Sequence, residues 1–346
     1  MKKLFTIITS LLFISSQAQE NTVLSFNAYV ETYYSYSAYS LESKQNPVTD
    51  FNHRRTNQFG LNLGLIDLQF KSRKTRGALG LMSGDYSTFN LAHEPIGLSN
   101  LYEAYMGYQI IEGLWIDAGV FSSHLGFESA IGSENMTLTR TLVAESSPYY
   151  LSGIKATYEK LEKWTFQLSL SNGWQNMVET NWNTNKAIGT QIAFKPNKNW
   201  NINYSTFTSN EYPDVAKRWR FFNDFYIQKE SDKLSFTLAC DYGIEEDGVN
   251  GWNNWTVLAA IAQYHLNENF SSAIRYEHAA DRDAIAISSS NGTAFNGNGA
   301  SLNLDFHPGD SFMFRIEPMY RWAAGNYFSQ KGDYFGITTS MCLKIN

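Results

Sequence analysis

Fifteen charged side chains of this 346-residue chain fall on one phase of an apolar–polar alternation: Glu31, Asp67, Glu103, Asp117, Lys155, Arg218, Arg220, Asp224, Asp241, Arg275, Glu277, Asp305, Arg315, Glu317 and Arg321. Several stand two apart with an apolar residue between them, as in Arg275-Tyr-Glu277 and Arg315-Ile-Glu317. Charges held that way form a surface that handles ions and polar solutes, not a reaction centre. Catalytic signatures are missing from the sequence: there is no G-x-S-x-G, no H-E-x-x-H and no phosphate-binding glycine loop. The six histidines (His53, His93, His124, His265, His278 and His307) are dispersed, none at metal-ligand spacing from another. Cys240 and Cys342 both sit on apolar phases and read as small hydrophobes, not as a bridge. Glu245-Glu246-Asp247 could bind a divalent cation, although a solvated loop tip is the simpler reading.

The elements that position these charges are strands. Trp164-Thr-Phe-Gln-Leu-Ser-Leu170 alternates without a fault, and so do Leu234–Leu238 and Leu302–Phe306. The last segment carries Phe335, Ile337, Thr339, Met341, Leu343 and Ile345 on one face and polar or small residues on the other. A period of two marks a strand with one apolar and one polar face. The phase slips between Leu65 and Ile66, which predicts a bulge there. Residues 254–266 are apolar on both phases, so that strand has no readable orientation.

Connections alternate between two lengths. Short ones fall at 71–76, 111–113, 161–163, 196–198, 231–233, 267–269 and 307–310. Long ones fall at 40–55, 87–99, 122–148, 174–185, 209–217, 246–253, 283–295 and 324–332. An up-and-down antiparallel barrel of about 16 strands, between about 14 and 18, produces this rhythm, with tight periplasmic turns and larger extracellular loops. A soluble sandwich has no reason to produce it. The expected fold class is therefore all-β, a transmembrane barrel with a long loop after the fifth strand folded inward.

Composition agrees. The chain holds 23 Phe, 21 Tyr and 9 Trp, yet its mean hydropathy is −0.34. That combination suits a lipid-facing band with aromatic girdles around a wet interior. Trp164, Trp200, Trp219 and Trp255 lie at strand ends and fit such girdles. Beyond residue 18 no apolar run reaches the ~18 residues of a transmembrane helix. The first eighteen residues read as an export signal: Lys2 and Lys3, an apolar stretch from Leu4 to Ile14, then Ser16-Gln17-Ala18 as the cleavage site. The expected mature chain is one barrel domain, residues 19–346. The formal charge of −6 argues against nucleic acid as a partner. The expected partners are outer-membrane lipid and lipopolysaccharide, the barrel-assembly machinery and small hydrophilic solutes. Self-assembly is expected by analogy of fold alone.

If apolar side chains face lipid, the fifteen charges face the lumen. Acids dominate early in the chain and arginines late. Around a closed barrel that would give either opposed walls of opposite sign or local ion pairs. Residues 122–148 form the longest connection, and Glu134–Leu142 within it could make one or two helical turns capped by Ser133. In so wide a barrel this loop can fold inward. Its titratable side chains, His124, Glu128, Glu134, Arg140 and Glu145, are the expected constriction, with a cell-surface loop as the alternative.

Several strings around this loop form a recognisable pattern. They are Asn100-Leu-Tyr-Glu-Ala-Tyr105, Gly113-Leu-Trp-Ile-Asp-Ala-Gly119, Ser123-His-Leu-Gly-Phe-Glu-Ser-Ala-Ile-Gly132, Leu138-Thr-Arg140, Ala144-Glu-Ser-Ser-Pro-Tyr149 and Ser171-Asn-Gly-Trp174. In them the sequence resembles the β-barrel porin family of the OmpL-like group, most densely from Asn100 to Trp174. The resemblance implies an outer-membrane channel of a Bacteroidetes-type Gram-negative bacterium. It implies no defined substrate and no binding residue. The ending Lys344-Ile-Asn346 departs from the terminal aromatic of many barrels, so an altered insertion signal is expected.

Three functions follow as expectations. The first is a porin passing small hydrophilic solutes or ions by size and lumen electrostatics, without cofactor or catalysis. The second is a surface scaffold whose pore is occluded. The third is a sugar-selective channel with Tyr149, Tyr150 and Trp174 as stacking residues. An enzyme built on the outer wall would need a serine beside His278, and Ser272 is not adjacent on that face.

Overall fold

The chain's alternating segments pair with their sequence neighbours, because each short turn returns the chain antiparallel beside itself. The computed structural model describes residues 22–38, 44–47, 49–287, 294–324, 327–328 and 332–345. The expected leader with its cleavage site, part of the first loop and Asn346 lie outside these. Sixteen strands run in order: β1 (Val23–Ser37), β2 (Phe59–Lys71), β3 (Thr75–Ser83), β4 (Leu101–Ile111), β5 (Leu114–Ser122), β6 (Tyr150–Tyr158), β7 (Trp164–Ser171) and β8 (Ala187–Phe194). They continue with β9 (Trp200–Asn210), β10 (Trp219–Lys229), β11 (Leu234–Glu246), β12 (Trp252–His265), β13 (Phe270–Asp281), β14 (Phe295–Gly309), β15 (Phe312–Ala323) and β16 (Asp333–Ile345). Each pairs with the next, and β1 closes on β16 from Ala28↔Ile345 to Ser37↔Gly336. Closure leaves no edge strand. The expected strand number and long–short rhythm are both present.

The two faces separate as the alternation predicts. On β11, Leu234, Leu238 and Tyr242 lie on the outer surface, while Ser235, Thr237 and Asp241 are buried inside. Aromatic pairs mark both rims of the outer wall. Trp164 stacks on Phe194 at 4.3 Å and Phe270 on Phe306 at 4.8 Å on the short-turn side. Phe221 meets Trp252 at 5.8 Å near the long loops. Trp255 is not part of a girdle: it is fully buried inside, stacked on Phe222 at 6.0 Å.

The interior is not uniformly polar, and this explains both faults in the alternation. Trp255, Val257, Ala259 and Ile261 point inward from β12, while Trp252, Leu258 and Tyr264 point outward. The inner face of β12 is apolar because Leu142 and Val143, from the connection after β5, pack in the same cluster. The bulge in β2 lies at Asn62, three residues before the expected slip: Glu31 pairs with Leu63 and Thr32 with Leu61. Leu63 and Leu65 therefore face inward, against Tyr29, Met82, Tyr86 and Leu91. Two short helices belong to the interior, α1 (Asp85–Asn90) and α2 (Leu142–Glu145).

Candidate functional site

Residues 123–149 join β5 to β6 and begin and end together, with Ser123 N–H donating to Tyr149 O at 3.0 Å. Between those ends the segment contacts inward-facing groups on far sides of the barrel. At its start, His124 Nε2 bonds Thr206 O at 3.0 Å, and His124 O accepts from Gln191 Nε2 and Ser205 Oγ. Gly126 N–H donates to Asp224 Oδ1 at 3.1 Å. These contacts lie on β8, β9 and β10. In its middle the segment is held by β13, β14 and β15. Arg275 donates to Thr139 O at 2.6 Å and to the Thr137 and Thr139 hydroxyls. Arg315 donates to Gly132 O at 2.7 Å, Asn135 O at 3.0 Å and Thr137 O at 3.3 Å. Glu317 accepts from Thr139 N–H at 2.6 Å, Glu277 from Leu142 N–H at 3.0 Å and Asn303 from Leu138 N–H at 3.0 Å.

The wall thus supplies the hydrogen-bond partners that regular secondary structure would otherwise provide. The segment accordingly stays extended where helix was expected. Only a 3₁₀ turn (Gly132–Glu134) and α2 form, and the cap of α2 is Thr141, whose hydroxyl accepts from Ala144 N–H, not Ser133.

The five expected constriction residues do different things. His124 is buried against β9. Its Nε2 donates to a carbonyl, so Nδ1 is the unprotonated nitrogen, and burial, with the Lys155 ammonium nearby, pushes the imidazole down to about 4. Glu128 accepts from the Thr141 amide and hydroxyl at 2.9 and 2.7 Å. Glu145 ties the first long loop to the segment by accepting from Phe51 N–H at 3.0 Å and Asn52 Nδ2 at 3.2 Å. Burial raises both carboxyls above the usual range, opposed by Arg140. Arg140 lies 4.1 Å over the Tyr149 ring. Glu134 stands apart, half exposed and paired with Lys344 at 2.7 Å.

The fifteen wall charges divide similarly. Arg275, Glu277, Asp305, Arg315, Glu317 and Arg321 point inward but are buried beneath residues 123–149 and the first long loop. They form a ladder of ion pairs: Arg315–Asp305 at 2.7 Å, Arg275–Glu317 at 3.1 Å, Arg321–Glu277 at 2.9 Å and Arg321–Asp50. Arg220 pairs with Glu245 at 2.6 Å, Asp117 with Arg76 at 2.5 Å, and Glu31 with His53 at 3.2 Å. Local pairing, not opposed walls of sign, therefore organises the charge. Lys155 lies over Phe121 at 4.4 Å. Among the described residues, two acid pairs form no salt bridge. Asp67 and Glu103 flank Gly80 on adjacent strands, and Asp224 sits directly opposite Asp241. Arg218 is placed before β10, over the Tyr212 ring at 4.3 Å, and does not line the strand wall.

Other sequence candidates are engaged elsewhere. Tyr150 hydroxyl donates to Glu94 at 2.8 Å, and Trp174 meets Phe207 and Phe222 edge-on beneath Arg220. Asp247 accepts from the amides of Val249, Asn250 and Gly251, which close its own loop and hold its carboxyl below the usual range. His278 faces Leu258 and Asn298 across the strands, not a serine. Among the described residues no group of three or more His, Cys, Asp or Glu is arranged for a metal. Sequence reasoning missed Asp50, His53, Arg76, Thr137, Thr139 and Asn303. Loop residues carry no phase, and amides and hydroxyls on a polar phase look like ordinary lumen residues.

Three cavities adjoin the segment. One of about 240 Å³ lies among the long loops, one of about 320 Å³ lies between the segment and the wall, and one of about 550 Å³ opens beside the short turns.

A family model described as "Putative beta-barrel porin-2, OmpL-like" matches residues 23–343. The chain belongs to this family. As an OmpL-like porin it is an outer-membrane channel, and its barrel is similar to those of solved porins. The outer membrane channel DcaP of Acinetobacter baumannii is 11% identical, with a TM-score of 0.65 over 94% of this chain and 97% of that one. An anion-selective porin from Comamonas acidovorans is 7% identical, with a TM-score of 0.65 over 94% and 100%. OmpT of Vibrio cholerae, described in a trimer form, is 8% identical, with a TM-score of 0.60 over 94% and 99%. A search of curated protein sequences gave no match.

Proposed function

We propose that this porin lets small hydrophilic solutes and ions diffuse passively through a pore narrowed by residues 123–149. One observation carries the reading. The segment bonds to inward groups of β8–β10 at its start and of β13–β15 in its middle, so it spans the aperture between them. A barrel of about 16 strands without such a crossing has an interior wide enough for an aqueous channel. Passage past the segment depends on size and on the polar groups that line it.

The family and the solved likenesses are channels, which supports a role without catalysis. In this reading the leader is removed after Ala18 and residues 19–346 insert as one barrel. The barrel-assembly machinery handles insertion, and lipid and lipopolysaccharide surround the outer wall. Assembly of identical copies is part of the proposal, by likeness to the trimer form described for the Vibrio protein.

Purified protein added to a planar bilayer is expected to give discrete, ohmic current steps. Folded protein, identified by its heat-modifiable migration, that inserts and conducts nothing would contradict the proposal and leave the occluded scaffold.

A further inference from the structure

The middle cavity, of about 320 Å³, adjoins both others. It shares Ser147 and Tyr149 with the cavity among the long loops, and Phe127, Glu128 and Gln228 with the one beside the short turns. The three therefore lie next to one another along the segment.

Two charged side chains line the middle cavity, Glu128 and Arg140, one of each sign. They form no direct salt bridge, although each charge acts on the other. Arg140 Nη2 donates to the backbone carbonyl of Glu128 at 3.2 Å, Nε and Nη1 make no geometric hydrogen bond, and the guanidinium also lies 6.0 Å over the Tyr86 ring. The guanidinium is only 6% exposed and is held in place by the Tyr149 ring. Glu128 spends Oε2 on Thr141, and its Oε1 has no partner. Buried charged groups are ordinarily satisfied, because an orphaned donor or acceptor costs more than its bond returns. Here a buried cation and a carboxylate face one chamber with bonding capacity unused on both.

We infer that this chamber is a binding site, within the proposed permeation path, for small zwitterions that carry one carboxylate and one ammonium group, the chemistry of free amino acids. The carboxylate meets the open donors of Arg140 and the ammonium meets Glu128 Oε1. A zwitterion adds no net charge and offers each of the two wall groups its opposite. An anion alone would face Glu128, a cation alone would face Arg140, and a neutral solute would offer neither group an opposite charge. The solute leaves towards the short turns past Glu128, which belongs to both cavities.

The inference rests on the channel reading, and one experiment separates the two. Proteoliposomes holding the full-length protein are tested for influx of labelled alanine, of lactamide as a neutral probe of similar size, and of lactate as the anion. Alanine influx is expected to saturate and to exceed that of lactamide by roughly tenfold, the ratio that one charge-assisted bond supplies. Glu128→Gln keeps an oxygen for Thr141 but removes the charge, and it should bring alanine down to the lactamide rate. Arg140→Gln should do the same. If Arg140→Gln does not fold, Glu128→Gln carries the test alone. Equal alanine and lactamide influx in the unaltered protein overturns the inference, and so does an alanine preference that survives Glu128→Gln. Entry of none of the three probes overturns the channel reading itself.

Discussion

Replacing Arg315 with methionine is expected to raise single-channel conductance, and its fluctuation, by about twofold or more while the barrel stays folded. The fully buried guanidinium makes five hydrogen bonds. Two go to Asp305, and three go to the carbonyls of Gly132, Asn135 and Thr137. Removing one partner of a buried pair costs about 3–5 kcal/mol, because the other charge is left uncompensated. Most of that cost falls on the docking of residues 123–149, since the strand ladder around Arg315 is made by backbone groups that the substitution leaves in place. Pairing Arg315→Met with Asp305→Leu removes the stranded carboxylate and should recover stability in urea unfolding. It does not restore the carbonyl anchors, so conductance should stay high. Arg315→Lys should lie between, since one ammonium cannot reach five acceptors arranged for a planar fork. A folded Arg315→Met channel with unaltered conductance and noise would show that the anchors do not hold the segment.

Acidification should loosen the other end of the segment. His124 is neutral in the folded protein, and its folded value, about 4, lies below the ordinary value of 6.5. For a base depressed in this way, the stabilisation is complete above the unfolded value and is lost as pH falls through the folded one. The window is therefore pH 6.5 down to about 4, and the amount at stake is on the order of 3 kcal/mol. The raised carboxyls of Glu128 and Glu145 act in the opposite sense, since they are destabilising when ionised and relax on protonation. Replacing His124 with glutamine isolates the histidine. Conductance noise should rise between pH 6 and about 4 in the unaltered channel, and that step should disappear in the variant. Gly189→Ala offers an independent check at neutral pH. A Cβ there would collide with the His124 ring, so the ring must leave its place and the noise should appear without acid. An acid step that persists unchanged in His124→Gln would rule out the histidine as its origin.

What the sequence reveals follows from where the physical constraint is local. Alternation and loop length are local, so the sixteen strands and the inward phase of residues such as Arg275 and Glu317 can be read directly. Which inward charges line a pore and which anchor a segment cannot be read. The anchoring of Arg315 depends on the carbonyls of Gly132 and Thr137, and a carbonyl has no residue identity. The same distance in sequence hides Trp255, Leu63 and Leu65. Each looks lipid-facing until a packed segment supplies an apolar interior for it. The helix expected at Glu134–Leu142 failed for the same reason, because Arg275, Asn303 and Glu317 take the backbone groups that a helix would pair. Asp50 and His53 lie in a loop without period, and nothing in their spacing points to Arg321 or Glu31.

If residues 123–149 span and narrow the barrel, deleting Glu128–Glu145 must open it. The segment's ends already meet at Ser123 and Tyr149, so the shortened connection can close without disturbing β5 or β6. The expected product is a folded, heat-modifiable barrel whose single-channel conductance is roughly threefold or more above that of the full chain, as an aperture widening towards the full barrel interior requires. Unchanged conductance in that folded deletion would contradict it.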